Sequence, residues 1–184
     1  HVIGLGHNVA VTARNPAQIA DLAAGHADRT LVLELDVTST EAIAHAVQAA
    51  EQRFGGIDVL VNNAGVGYFG AFEESEFEAV RARFEINFWG LANMSRAVLP
   101  GMRRRRSGTI VNISSVGGLR ARPSLSFYAA TKFGVEALSE ALAQEVAPLG
   151  IKVLLVEPGP FRTDWAGRSA GGAAVTIDDY ADTA

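Results

Sequence analysis

Apolar runs rich in Val, Ile and Leu alternate with amphipathic helical stretches along this 184-residue chain. Asn8 to Ala13, Leu31 to Leu35, Asp58 to Val61, Thr109 to Ile113 and Ile151 to Val156 read as strands. They show little polar alternation, as expected of parallel strands buried on both faces. Between them, Thr38 and Glu41 predict a capping box for the helix Glu41 to Phe54, whose Ile43, Ala46, Val47, Ala50 and Phe54 form one stripe. Phe133 to Ala147 predicts a second helix with Val135, Leu138, Leu142 and Val146 on one face, ending near Pro148 and Gly150. Strand–helix alternation implies right-handed crossovers and a doubly wound α/β sheet covered on both faces. The length suits a single domain over residues 1–184, and 48% hydrophobic content supplies a core. Residues 164–184, rich in Gly, Ala and Asp from Ala166 onward, read as a mobile loop or lid.

Composition removes several functional classes. A net charge of −4 leaves no electrostatic footprint for nucleic acid. The run Arg103 to Arg106 sits between an apolar helical stretch and Ser107-Gly108, and reads as the solvated C-terminal end of a helix, where cations suit the dipole. With no cysteine there is neither disulfide nor thiolate metal site, and His1, His7, His26 and His45 form no ligand-spaced cluster. No apolar stretch reaches the roughly eighteen residues of a membrane span, and no signal peptide is visible. A soluble, cytoplasmic protein acting on small molecules, without metal, is expected.

Tyr128 and Lys132 stand one helical turn apart, and Ser115 follows the strand Thr109 to Ile113. Residues at i and i+4 share a helix face. A cation near a phenol favours the phenolate and lowers its pKa toward general acid–base use. A strand end is where open α/β sheets place their chemistry. Taken alone, the pair reads equally well as a surface contact worth tenths of a kcal/mol.

The rest of the chain joins these residues to a pattern. Asn62-Asn63-Ala64-Gly65 follows a strand directly, Asn87-Phe88-Trp89-Gly90 lies further on, and Pro158-Gly159-Pro160-Phe161-Arg162-Thr163 follows the last strand. With Ser115, Tyr128, Lys132 and the strand-ending Asp36-Val37, this order resembles the short-chain dehydrogenase/reductase family, from about Asn8 to Thr163. The resemblance implies a Rossmann-like fold and hydride exchange between a nicotinamide cofactor and a carbonyl or secondary alcohol. Tyr128 would transfer the proton, Ser115 polarise the oxygen, Lys132 lower the tyrosine pKa and hold the ribose, and Asn87 support a water behind Lys132. Cofactor contacts would come from Arg14, Asp36, Val37, Asn62, Ala64, Gly65, Tyr128, Lys132, Pro158, Gly159, Phe161 and Thr163. Relatives commonly pair as dimers or tetramers through the helices carrying Asn87 and Tyr128, so a homo-oligomer is expected.

In Val11-Thr12-Ala13-Arg14-Asn15, Ala13 stands where a carboxylate would bind the 2′-hydroxyl of NAD, and Arg14 follows. A guanidinium suits a 2′-phosphate, which favours NADP (NADPH). The segment departs from the family at its start. Gly4 and Gly6 are followed by Val9 at the third position, so no glycine-rich phosphate turn or first strand is present. His1 to His7 reads as the tail of a helix. The expectation is a portion of a longer protein, its sheet left with unpaired edges and an open core.

Rival readings exist. Ser114 is a second hydroxyl, but only Ser115 has the family's spacing to Tyr128. Asn62 and Asn63 also suit an ordinary turn, and Asn87 a backbone-satisfying role. Leu119 and Phe127 are candidates for the substrate pocket, whereas Phe161 and Trp165 either line it or cover the core. An epimerase or dehydratase of the extended relatives, or a non-catalytic nucleotide-sensing scaffold, shares the fold. A Ser115 hydrolase is disfavoured because a nucleophile elbow needs glycine at the position of Ile113.

Overall fold

The computed structural model describes residues 2–161 and 170–183. A 3-10 turn, Val2–Leu5, precedes β1 (Val9–Ala13), and the 3-10 segment Pro16–Ala23 leads into β2 (Thr30–Glu34). There follow α1 (Thr40–Phe54), β3 (Val59–Asn62), β4 (Gly67–Phe69) and α2 (Phe77–Phe84). A π-helical turn, Glu85–Gly90, joins α2 to α3 (Leu91–Arg105). The chain continues through β5 (Gly108–Ile113), the 3-10 turn Val116–Gly118, α4 (Ser126–Val146), β6 (Ile151–Val156) and β7 (Ala170–Gly172).

All strand pairs are parallel, in the orders β1-β2, β3-β5-β6 and β4-β7. The five predicted strands are therefore present, each within a residue of its expected bounds. Between β3 and β5 the register sets Asn62 beside Asn112. The core lies where α1 and α3 cover the sheet: Ile43 and Val47 of α1 meet Val98 and Met102 of α3 over Leu60 and Ile110. Ile110 and Met102 are wholly buried.

Several local expectations are corrected. Helix α1 is capped by Ser39, whose Oγ accepts from Ala42 N at 3.1 Å. Thr38 instead donates to Asp36 Oδ1 through its amide (2.9 Å) and its hydroxyl (2.8 Å), an Asx-type turn that ends β2. Helix α4 starts at Ser126, well before the expected Phe133. Its buried face carries Tyr128, Thr131, Lys132, Glu136 and Ser139 beside Val135, so an apolar stripe does not reveal its first turns. The arginine run does end α3, with Arg106 in the left-handed region as its C-cap. Two of these side chains also work: Arg105 donates to the Ile57 carbonyl and Arg106 to that of Pro148.

No ladder joins β1 to β3 among the described residues. A cavity of about 850 Å³ lies between them, lined by residues such as Val9, Leu33, Leu35, Val61, Met94 and Val98. The expected unpaired edges and open core are therefore present.

A row of buried polar side chains crosses the sheet. Asn62 Nδ2 donates to Ser95 Oγ (3.1 Å) on α3 and to Asn112 Oδ1 (2.9 Å) on β5. Asn112 Nδ2 donates in turn to Ser139 Oγ (2.8 Å) on α4. The two serines pass their own protons to helix carbonyls, those of Leu91 and Val135. Asn112→Ala would strand an amide hydrogen of Asn62 and remove the donor to Ser139. Urea unfolding should register a loss of about 3 kcal/mol, since each orphaned buried group costs about 1–3 kcal/mol.

Candidate active site

Strand β5 ends at Ile113, and Ser115 caps the 3-10 turn that follows, its Oγ accepting from Gly117 N at 3.0 Å. Ser115 also hydrogen-bonds the phenol of Tyr128, which lies in the first turns of α4 and is only 8% exposed. Gly117 leaves room for this pairing: a Cβ there would stand 3.2 Å from the Tyr128 ring and would ask the ring to shift by a few tenths of an ångström. Nothing in the sequence pattern marked Gly117. Of the two candidate hydroxyls, Ser115 is therefore the one at the phenol. Ser114 is turned away and buried without a hydrogen-bond partner.

Lys132 sends its ammonium past the tyrosine. Nζ donates to the Ile113 carbonyl at 2.7 Å and lies 6.0 Å from the centroid of the Tyr128 ring. Burial lowers its pKa to about 8, against an opposing pull from Glu136. The expected depression of the tyrosine by this lysine is not found. Burial raises the Tyr128 phenol above its ordinary value and outweighs the hydrogen bond from Ser115. The phenol is thus held protonated at neutral pH, as a proton donor must be.

Asn87 sits in the π-helical turn, a geometry often found at functional sites. Its Oδ1 accepts from Val66 N (2.8 Å), and its Nδ2 donates to Val66 O (2.8 Å) and Thr131 Oγ1 (3.2 Å). Thr131 donates to Tyr128 O at 2.7 Å. Asn87 thereby ties the loop after β3 to the helix carrying the tyrosine. The backbone-satisfying role is real: one amide hydrogen serves the Val66 carbonyl, and the other goes to the Thr131 hydroxyl. A Cβ on Gly65 would stand 3.6 Å from both Asn87 Oδ1 and Lys132 Nζ, so those groups flank one open position.

The remaining predicted cofactor residues lie at the carboxyl ends of strands. Arg14 follows β1, and Asp36 and Val37 follow β2. Arg14 is close enough to help depress the Asp36 carboxyl, after the dominant hydrogen bonds from Thr38. Val37 packs against the bare backbone of Gly90. The side chain of Asn62 is spent in the buried polar row, which leaves only its backbone to face a ligand. Ala64 and Gly65 follow β3, and the Pro158 carbonyl accepts from Val116 N at 3.1 Å. Gly159 has open space around it, and Phe161 is 73% exposed. Thr163 and Trp165 lie outside the described residues, as do residues 164–169 of the predicted lid. The later part of that segment is docked: β7 pairs with β4, Glu74 accepts from the amides of Thr176 and Ile177, and Tyr180 donates to Glu73 at 2.7 Å. Among the described residues no group of acidic or histidine side chains is placed to hold a metal, and no helix is long and apolar enough to cross a membrane.

Residues 1–171 match the family described as short chain dehydrogenase. The chain belongs to this family. A 3-ketodihydrosphingosine reductase of Bacteroides thetaiotaomicron is 42% identical over 179 residues, covering 97% of this chain and 64% of that protein. A short-chain dehydrogenase from Streptomyces avermitilis superimposes with a TM-score of 0.92 at 45% identity, covering 98% of this chain and 68% of the other. ElxO with NADP bound gives 0.82 at 30% identity, over 86% of this chain and 65% of the other. The chain thus spans about two thirds of the length of these relatives. The strand order and helix layers are those of a partial Rossmann-like domain.

The residues present fit the nicotinamide end of a dinucleotide: the open position at Gly65 lies between Asn87 and Lys132, beside the Ser115–Tyr128 pair. Arg14 and Asp36 stand at the carboxyl ends of β1 and β2. The described residues supply no glycine-rich turn for the pyrophosphate.

The chain has two lysines, Lys132 and Lys152, so a ¹³C-lysine spectrum contains two side-chain signals. The Lys132 signal should titrate near pH 8 instead of the usual value of about 10.4. The unfolded chain binds more protons than the folded one between those values, so this group's contribution to stability rises as pH climbs from about 8.

Proposed function

We propose that this chain forms the catalytic part of an NADPH-dependent short-chain reductase acting on a carbonyl, or on a secondary alcohol in reverse. The observation that carries the reading is the buried Ser115–Tyr128 pair with Lys132 one turn beyond it. When bound, the nicotinamide supplies the hydride and takes it back in the reverse direction. Everything else falls to the protein. As a carbonyl oxygen gains charge, Ser115 Oγ and the Tyr128 hydroxyl donate to it, and preorganised donors act most strongly on the charge that develops. Tyr128 then delivers its proton to that oxygen. Lys132 supplies a donor for the ribose hydroxyls. A water in the open position by Gly65 would return a proton through Lys132, supported by Asn87 Oδ1.

The 2′-phosphate of NADPH would lie against Arg14, where no carboxylate replaces Ala13. The ElxO relative carries NADP, which is consistent with this choice. Phe127, next to Tyr128, stacks on Phe72 at 4.9 Å and meets Phe77 edge-on at 6.1 Å. Phe72, Phe77 and Leu119 are largely exposed, so an apolar substrate is favoured over a small polar one.

Tyr128→Phe should lower kcat for ketone reduction by about 10² to 10⁴-fold, the usual worth of a positioned acid, while NADPH binding persists. Unchanged turnover would remove Tyr128 as the proton donor. Arg14→Ala should raise KM for NADPH about tenfold and leave that for NADH near its starting value, the loss expected of one charge-assisted contact. Equal effects on both cofactors would argue against a 2′-phosphate contact.

A further inference from the structure

Thr131 stands between Tyr128 and Lys132 on α4 and is wholly buried. No sequence pattern singles it out, and the mechanism above gives it no part. Its hydroxyl is used twice. Oγ1 donates to the Tyr128 carbonyl at 2.7 Å and accepts from Asn87 Nδ2 at 3.2 Å. A threonine inside a helix commonly turns its hydroxyl back to a carbonyl one turn earlier. The first bond alone would satisfy that habit. The second bond crosses to another element, the π-helical turn that carries Asn87.

Two bodies meet at this hydroxyl. One is α4 with its phenol and ammonium, tied to β5 through Lys132 and Ile113 and through Ser139 and Asn112. The other is the loop after β3, where Asn87 grips both the amide and the carbonyl of Val66 at 2.8 Å. That loop bounds the open position at Gly65. An apolar contact also joins the π-helical turn to α4: a Cβ on Gly134 would stand 3.1 Å from the Phe88 ring. Such a contact resists separation but has no preferred direction. The hydroxyl adds direction. Its one proton is committed to Tyr128 O, so toward Asn87 its oxygen can only accept.

We propose that Thr131 is a positioning residue for the reduction: its hydroxyl sets how far the Tyr128 phenol stands from the open position at Gly65, where the nicotinamide end fits. It touches neither substrate nor the reacting atoms, and acts through Asn87 and the first turn of α4. The catalytic consequence rests on the reductase reading; the coupling of loop to helix does not. Proton delivery is sensitive to such spacing, since a misplacement of about 1 Å can cost on the order of 10²-fold in rate. A valine would fill nearly the same space with no polar group to satisfy, so packing alone gives no reason for a hydroxyl at this depth.

The test compares wild type with Thr131→Val, which loses the hydroxyl, and Thr131→Ser, which keeps it and loses the methyl group. In Thr131→Val, kcat for ketone reduction with NADPH should fall about 10- to 100-fold. KM for ketone and for NADPH should stay within about twofold, the pattern of a loss confined to the transition state. Thr131→Ser should recover most of the rate. A Thr131→Val kcat near wild type, even with a lowered unfolding temperature, would leave the hydroxyl a packing role and overturn the inference. Equal losses in the two variants would overturn it as well. Hydrogen exchange at the Val66 amide reads the same coupling without turnover. It should quicken about fivefold in Thr131→Val, roughly the worth of one hydrogen bond, and stay near wild type in Thr131→Ser. An unchanged Val66 rate in Thr131→Val counts against the inference equally. If wild type reduces no ketone, the reductase reading falls and the Val66 rates alone decide the coupling. Should Thr131→Val not fold, Thr131→Ala takes its place in both measurements and is read in the same way.

Discussion

The site depends on a row of amides and hydroxyls inside the sheet. Ser95, Asn62, Asn112 and Ser139 link α3, β3, β5 and α4 through hydrogen bonds of 2.8–3.1 Å. Apolar packing already resists a one-residue slip, which would turn the buried face of β3 and β5 outward. Amides paired at fixed geometry add to that resistance, because a slip would bury unpaired polar groups. The row sets β3 against β5, ties α3 to β3 and ties α4 to β5. It therefore fixes where β5 delivers Ser115 and where α4 presents Tyr128 and Lys132. A second clamp, Asn87 gripping Val66 and Thr131, joins the loop after β3 to the same helix. Structural and chemical roles are thus interleaved, and the asparagines carry much of the structural share.

Two ionisable groups share the site under opposing pressures. Burial drives Tyr128 toward its neutral form and Lys132 toward its neutral form as well. For an acid catalyst the first effect is useful, since the proton must be present to be given. The second works against the chemistry, since a neutral lysine cannot stabilise a phenolate. Two nearby groups offset it: the Ile113 carbonyl, which accepts from Nζ, and the Glu136 carboxyl group one turn along. Which protonation state dominates at neutral pH follows from this balance, and spacing along the chain does not reveal it.

Much of the fold could be read from the sequence, because its strands write themselves as apolar runs, although one face is open at Val59, Val61, Leu154 and Val156 and the expected burial on both faces is not met. The Ser115, Tyr128 and Lys132 constellation could be read for a different reason, an ordered set of turns each placed after a strand. Other features left weaker marks. The apolar stripe of α4 begins only at Val135 because the buried face of its first turns is polar, so periodicity alone places the helix start too late. The polar row was invisible, since Ser95, Asn112 and Ser139 look like ordinary helix and strand residues until register brings them together. Strands β4 and β7, three residues each, are too short for any periodicity. The cap of α1 fell to Ser39 because Thr38 is drawn back to Asp36, a competition between two local hydrogen bonds that composition does not rank.

Among the described residues, β1 and β2 are tied to the β3–β5–β6 sheet by packing. Helix α1 supplies it, resting on β2 with one flank and on α3 with another, through Leu35, Ile43 and Val47. Apolar packing is less directional than a strand ladder and holds position less tightly. Arg14 and Asp36 ride on that β1–β2 unit, whereas Ser115, Tyr128 and Lys132 ride on the hydrogen-bonded β3–β5–β6 sheet.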